Sequence, residues 1–244
     1  MKESTYLTVC GLTPARLLSF YRNEHLSITL LENFEFIEPV KGIPDYARLV
    51  LVNLTKISAE EVISFEAYLD ANEHFRLKNI TNTEKRHTFV VCRFVTKQLI
   101  AEFSRLDPFT LNFQYTERGK PYLAAPGVEF NISHSGDFAL IGVSHHKIGV
   151  DIEKMKPNRN FQGLAETVLS KDEKAWVFEQ DTERRFYQLW TLKESRLKCD
   201  GDGLAGHYPA AMFDPEMGWR YNDYEIYFHA FEQYIYTICI NAKD

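Results

Sequence analysis

The stretch from Asn82 to Phe103, "NTEKRHTFVVCRFVTKQLIAEF", narrows the fold more than any other part of the chain. Phe89, Val90, Phe94, Lys97 and Ala101 recur at the helical period, so the segment reads as one long helix with its basic residues on other faces. Strand signals lie on both sides of it. "RLVLVNL" (48–54) is a buried-strand candidate, and "SAEEVISFEAYL" opens with a serine cap before apolar residues at helical spacing. "GKPYL" is a turn leading into an extended segment, and "VEFNISHSGDFALIGVSHHKIGVDIE" reads as short strands turning at Ser135-Gly136 and His145-His146. Helix resumes at "LAETV", continues through "KDEKAWVFEQ", and becomes strong from about Glu183 to Cys199. The tail "YEIYFHAFEQYIYTICI" holds two strand runs expected to pair antiparallel. The loose likeness of the two halves in their order of helix and strand permits an internal duplication without establishing one.

Composition limits what such a fold does. With 244 residues, 45% hydrophobic and 14% aromatic, the chain buries a substantial core as one domain or two small ones. The formal charge of -6 is not the footprint of a general nucleic-acid binder, so an anionic ligand needs a local basic site. Cys10, Cys92, Cys199 and Cys239 show no CxxC spacing, which argues against a zinc site and fits a reducing cytosol. The N-terminus lacks the apolar region of a cleavable signal, and no apolar run approaches the roughly 20 residues that span a bilayer. The sequence therefore predicts a cytoplasmic protein with no membrane partner.

"GVDIE" (149–153) puts two carboxylates two residues apart in a strand, so Asp151 and Glu153 share a face while Val150 and Ile152 pack behind them. Their repulsion is offset by a solvated edge, by a neighbouring Lys or Arg, or by a hard divalent cation such as Mg²⁺. In "FYQLWTLKESRLKCDGDGL", Phe186, Leu189, Trp190 and Leu197 form an apolar stripe bordered by Glu194. Lys198 follows at i+4, where a surface Glu-Lys pair is the plain reading, and "DGDGL" ends the helix with glycines. "NISHSG" sets His134 between Ser133 and Ser135 at a turn, and "GKPY" carries Lys120. Taken singly, these are a loop histidine and a turn lysine.

Together and in this order, "GKPYL", "FNISHSG", "GVDIE" and "LWTLKESRLKCDGDGL" resemble the Sfp-type 4'-phosphopantetheinyl transferases, over about residues 75 to 206. The resemblance implies two similar α+β subdomains related by a pseudo-twofold, 1–147 with the phosphate-binding groups and 148–244 with the metal-binding motifs, and a cofactor cleft between them. It implies transfer of the phosphopantetheine arm of coenzyme A to a serine of an apo acyl or peptidyl carrier protein, releasing adenosine 3',5'-bisphosphate. Asp151, Glu153 and Glu194 would ligate Mg²⁺. Lys198 would stabilise the transferring phosphoryl group, and Glu194, with Glu153 as the alternative, would accept the serine proton. Lys120, Ser133 and His134 would contact the coenzyme's phosphates, joined by Arg93 and by Arg86 or Lys85. In this chain Cys92 precedes Arg93 where the family has glycine, and Arg196 replaces a bulky apolar residue. Both motif-bearing halves in one chain imply a monomer. Carrier contacts are expected in "FQGLAETVLSKDEKAW", through Phe161, Leu164, Val168 and Leu169 with Lys171 and Lys174, against the alternative of a core-facing helix with a solvated lysine edge. The residues alone also permit another Mg²⁺-dependent phosphotransferase, or a silent module that binds carrier protein or coenzyme A.

Overall fold

The computed structural model describes residues 45–117, 119–201, 208–214 and 218–241, and the backbone of 34–35. Cys10, nearly all of the first forty residues, which the resemblance does not reach, and the helix-ending "DGL" of 202–204 lie outside the described residues.

One succession of elements occurs twice. In the first half, strand β2 (Ala47–Asn53) is followed by helices α1 (Ala59–Phe65), α2 (Ala71–Lys78) and the long α3 (Thr83–Ser104). A small hairpin, β3 (Phe113–Tyr115) with β4 (Pro121–Leu123), then leads to the pair β5 (Glu129–Ser135) and β6 (Phe138–Ser144). In the second half, β7 (Lys147–Lys154) is followed by α4 (Phe161–Val168), α5 (Lys171–Glu179) and the long α6 (Thr182–Asp200). The hairpin β8 (Met212–Asp214) with β9 (Gly218–Arg220) and the pair β10 (Glu225–Phe231) and β11 (Tyr234–Asn241) complete it. Sheet order repeats as well: β2-β6-β5, with the two-residue β1 (Phe34–Glu35) at its edge, matches β7-β11-β10, and every pairing is antiparallel. The fold is α+β with two similar subdomains.

Local sequence sets the helix starts. Ser58 with Glu61, Asp70 with Glu73, and Ser170 with Glu173 each form a reciprocal capping box. The last of these corrects the expectation of one helical stretch through "LAETV" and "KDEKAWVFEQ". Ser170 is extended and its hydroxyl accepts from the Glu173 amide, so the chain ends α4 at Val168 and restarts.

Alternation along the strands builds three apolar clusters. Val50 and Val52 of β2 face α1–α3, while Leu49 and Leu51 face the other sheet, where they meet Val150, Ile152 and Ile238. A third cluster lies between the second sheet and α4–α6. Each long helix also buries a lysine against the capping-box glutamate of its own half. Lys97 Nζ lies 2.7 Å from Glu73 Oε2 and donates to the Tyr68 carbonyl; Lys193 Nζ lies 2.8 Å from Glu173 Oε1 and donates to the Pro209 carbonyl.

The halves meet along a seam between β5 and β7. No backbone ladder joins these strands. Instead Asn131 Oδ1, Ser133 Oγ and Ser135 Oγ accept hydrogen bonds from the amides of Val150, Ile152 and Lys154 at 3.0, 3.3 and 3.1 Å. The constant offset of nineteen residues shows the two strands running parallel.

Candidate active site

The seam delivers the acidic residues. Val150 and Ile152 point into the inter-sheet cluster, so Asp151 and Glu153 point the other way, toward α6. Gly149 shares that face, and a β-carbon on it would collide with the Ser195 carbonyl and the Cys199 backbone. Strand and helix therefore touch, which brings the last turns of α6 over the carboxylates.

Asp151 is 3% exposed. Its Oδ1 accepts from Ser133 Oγ at 2.9 Å and from Lys198 Nζ at 2.5 Å, and Lys198 also donates to Ser133 Oγ at 3.0 Å. Lys198 is thus committed to Asp151 within its own half and to Ser133 across the seam, which replaces the simple Glu194–Lys198 surface pair that helical spacing allows. Glu153 accepts from Ser135 Oγ at 2.9 Å and from Trp190 Nε1 at 3.2 Å. Glu194, half-buried, accepts from the Tyr208 hydroxyl at 2.8 Å. Burial raises the pKa of all three carboxyls above their ordinary values. The charge of Asp151 adds to the rise at both Glu153 and Glu194, so the three acids share one electrostatic neighbourhood.

Among the described residues no three His, Cys, Asp or Glu side chains already stand as a metal cluster. The donor chemistry nevertheless fits a hard cation. All three candidates offer carboxylate oxygens, and Asp151 Oδ2 is buried with no hydrogen-bond partner. Such an oxygen is costly unless a cation or donor reaches it.

A cleft of about 960 Å³ opens beside the seam, lined among others by Lys85, Phe89, Arg93, Ile132 and His134. Arg93 also lies 3.4 Å from buried Glu73, which fixes its guanidinium from behind. Burial and the Lys198 ammonium lower the pKa of His134. Two expected phosphate contacts are engaged elsewhere and do not line the cleft. Lys120 Nζ donates to the Lys198 carbonyl at 2.6 Å and so caps the end of α6, where burial lowers its pKa. Arg86 donates to the Leu77 carbonyl at 2.5 Å and caps α2. Ser133 sits in the seam rather than on the cleft wall. Arg196 turns away to Asp200 at 2.8 Å and to the faces of Tyr221 and Tyr224. In the segment expected to meet a carrier, Val168 and Leu169 are buried and Phe161 and Leu164 pack on the same core, while Lys174 pairs with Glu166. Its apolar side chains therefore follow the core-facing alternative.

Sequence reasoning missed the roles of Asn131 and Ser135, although the polar alternation N-I-S-H-S marks one side of a strand. It missed Tyr208 altogether, since nothing local distinguishes that residue.

Sequence models of two families match adjoining stretches of the chain: "4'-phosphopantetheinyl transferase, N-terminal" over residues 56–146 and "4'-phosphopantetheinyl transferase superfamily" over 147–239. Curated relatives agree. The chain is 32% identical over 153 residues to the 4'-phosphopantetheinyl transferase ffp of Bacillus subtilis, covering 61% of this chain and 67% of the relative. Identity is 30% over 153 residues to the transferase Sfp of the same species, again 61% and 67% covered. It is 31% over 147 residues to HetI of Nostoc sp., covering 57% of this chain and 62% of that one.

Proposed function

Because the chain belongs to the 4'-phosphopantetheinyl transferase superfamily, we propose that it moves the 4'-phosphopantetheine arm of coenzyme A onto a serine of an apo acyl or peptidyl carrier protein, releasing adenosine 3',5'-bisphosphate. The observation that carries the proposal is the Asp151–Ser133–Lys198 cluster, with its unpartnered buried carboxylate oxygen, beside a cleft with basic walls.

Asp151, Glu153 and Glu194 would hold Mg²⁺, whose chemistry is to neutralise the pyrophosphate and the charge that builds on its oxygens. Lys198 balances Asp151 and sits where it can also stabilise a phosphoryl oxygen. His134, Arg93 and Lys85 on the cleft wall receive the coenzyme's phosphates, while Lys120, Ser133 and Arg86 hold the helix ends and the seam that frame them. Glu194 takes the proton from the attacking serine, with Glu153 as the alternative base. We draw the division of labour at residues 147 and 148, the first part binding phosphates and the second supplying the carboxylates. One chain holds both, so we take the enzyme as a monomer of the cytoplasm; no helix among the described residues is long and apolar enough to cross a membrane.

With Mg²⁺ and a fluorescent coenzyme A conjugate, the purified protein is expected to label an apo carrier protein covalently, and a chelator to stop it. Absence of label across a broad carrier panel would overturn the proposal.

A further inference from the structure

Glu194 differs from the other two acids in how it is held. Asp151 and Glu153 are fastened by serines of β5, whereas the described hydrogen bond to Glu194 comes from Tyr208, which follows α6 in sequence. Trp190 fastens Glu153 from one turn earlier on α6, and the Tyr208 ring packs against the Trp190 ring at 5.9 Å with a 39° tilt. Trp190 is stacked in turn on the buried Phe186 at 6.0 Å and 21°. The two rings thus form a brace that starts in the core and ends on the oxygens of two carboxylates. Both donors are neutral. They orient the acids without competing as cations for the charge, unlike Lys198 at Asp151.

We propose that Tyr208 is the positioning residue for Glu194: by donating to Oε1 at 2.8 Å it turns the other oxygen toward the cation site and fixes the side chain's rotamer. This rests on the metal-binding role given to Glu194 above. Loss of the hydroxyl leaves the ring packing intact while releasing the carboxylate.

The test is Tyr208→Phe in the full chain, with Mn²⁺ as the probe. Calorimetric titration with Mn²⁺ is expected to give a dissociation constant about tenfold higher than wild type. The thermal midpoint should stay unchanged, and the Mg²⁺ concentration for half-maximal turnover should rise in parallel. In a Glu194→Gln background, adding Tyr208→Phe should cost no further turnover, because its effect passes through that carboxylate. Equal Mn²⁺ affinity in wild type and Tyr208→Phe would overturn the positioning role alone, as would a fully additive loss in the double variant. Failure of wild type itself to take up Mn²⁺ would overturn the metal assignment, and this proposal with it.

Discussion

The two halves share a topology and differ in the charged side chains they carry. Both run strand, three helices, small hairpin, strand pair, and both bury a lysine of the long helix against a capping-box glutamate. The residue after that lysine differs: Gln98 in the first half, Glu194 in the second. The strands differ in the same sense, since β2 reads ARLVLVN where β7 reads KIGVDIEK. The first half keeps the apolar strand and contributes a cleft with Lys85, Arg93 and His134; the second contributes the acids and Lys198. A shared framework, stabilised the same way in each half, therefore carries two different sets of side chains, and the site exists only where the sets meet.

The largest effect should come from erasing that difference. Glu194→Gln writes into the second half the residue that the first half carries, and Asp151→Asn removes the acid held by Lys198. Each is expected to lower turnover by about a hundredfold to a thousandfold, whereas Gln98→Ala should leave turnover near wild type. Wild-type rates in either acid variant would break the assignment of chemistry to the second half.

The framework makes the next prediction. Lys97→Met and Lys193→Met each take the buried lysine from a buried glutamate, and each is expected to cost about 3 to 5 kcal/mol in denaturant unfolding. Similar losses in both would sharpen the likeness of the halves; a large loss in only one would break it.

The smallest effect is a pH slope from Glu73. Burial raises its carboxyl above 4.5, against the opposing pull of Lys97. A raised acid stabilises the fold fully below its unfolded value, about 4.5, and that contribution is lost as pH climbs through the folded value. Unfolding free energy measured across this range should fall with pH in wild type, with a shallower fall in Glu73→Gln. An identical slope would remove Glu73 as its source.

Much of this was legible in the sequence because local signals and tertiary packing agree. The long helix expected from Asn82 to Phe103 runs Thr83–Ser104 with Asn82 as its cap, and the strands of "VEFNISHSGDFALIGVSHHKIGVDIE" turn at the expected His145-His146, while the turn expected at Ser135-Gly136 falls one residue later, at Gly136-Asp137, because Ser135 still pairs with Phe138. "GVDIE" and "LWTLKESRLKCDGDGL" were visible as a family pattern, and the direction of Asp151 and Glu153 followed from strand alternation. What stayed hidden depends on distant partners. Lys97 matched the apolar period of its helix, but only the fold reveals Glu73 opposite it. Lys120 and Arg86 have the right charge for phosphates, yet nearby carbonyl groups at helix ends claim them. Lys198 sits four residues from Glu194 and turns instead to a carboxylate 47 residues away in the chain.

Gly149, the first letter of "GVDIE", fixes the spacing between the strand that carries two acids and the helix that carries the third. That gap is maintained by a missing atom, so it can be widened by any residue and narrowed by none. Exchanging glycine for alanine would act as a shim: every reactive group would keep its identity while the workpiece opened by the thickness of one methyl.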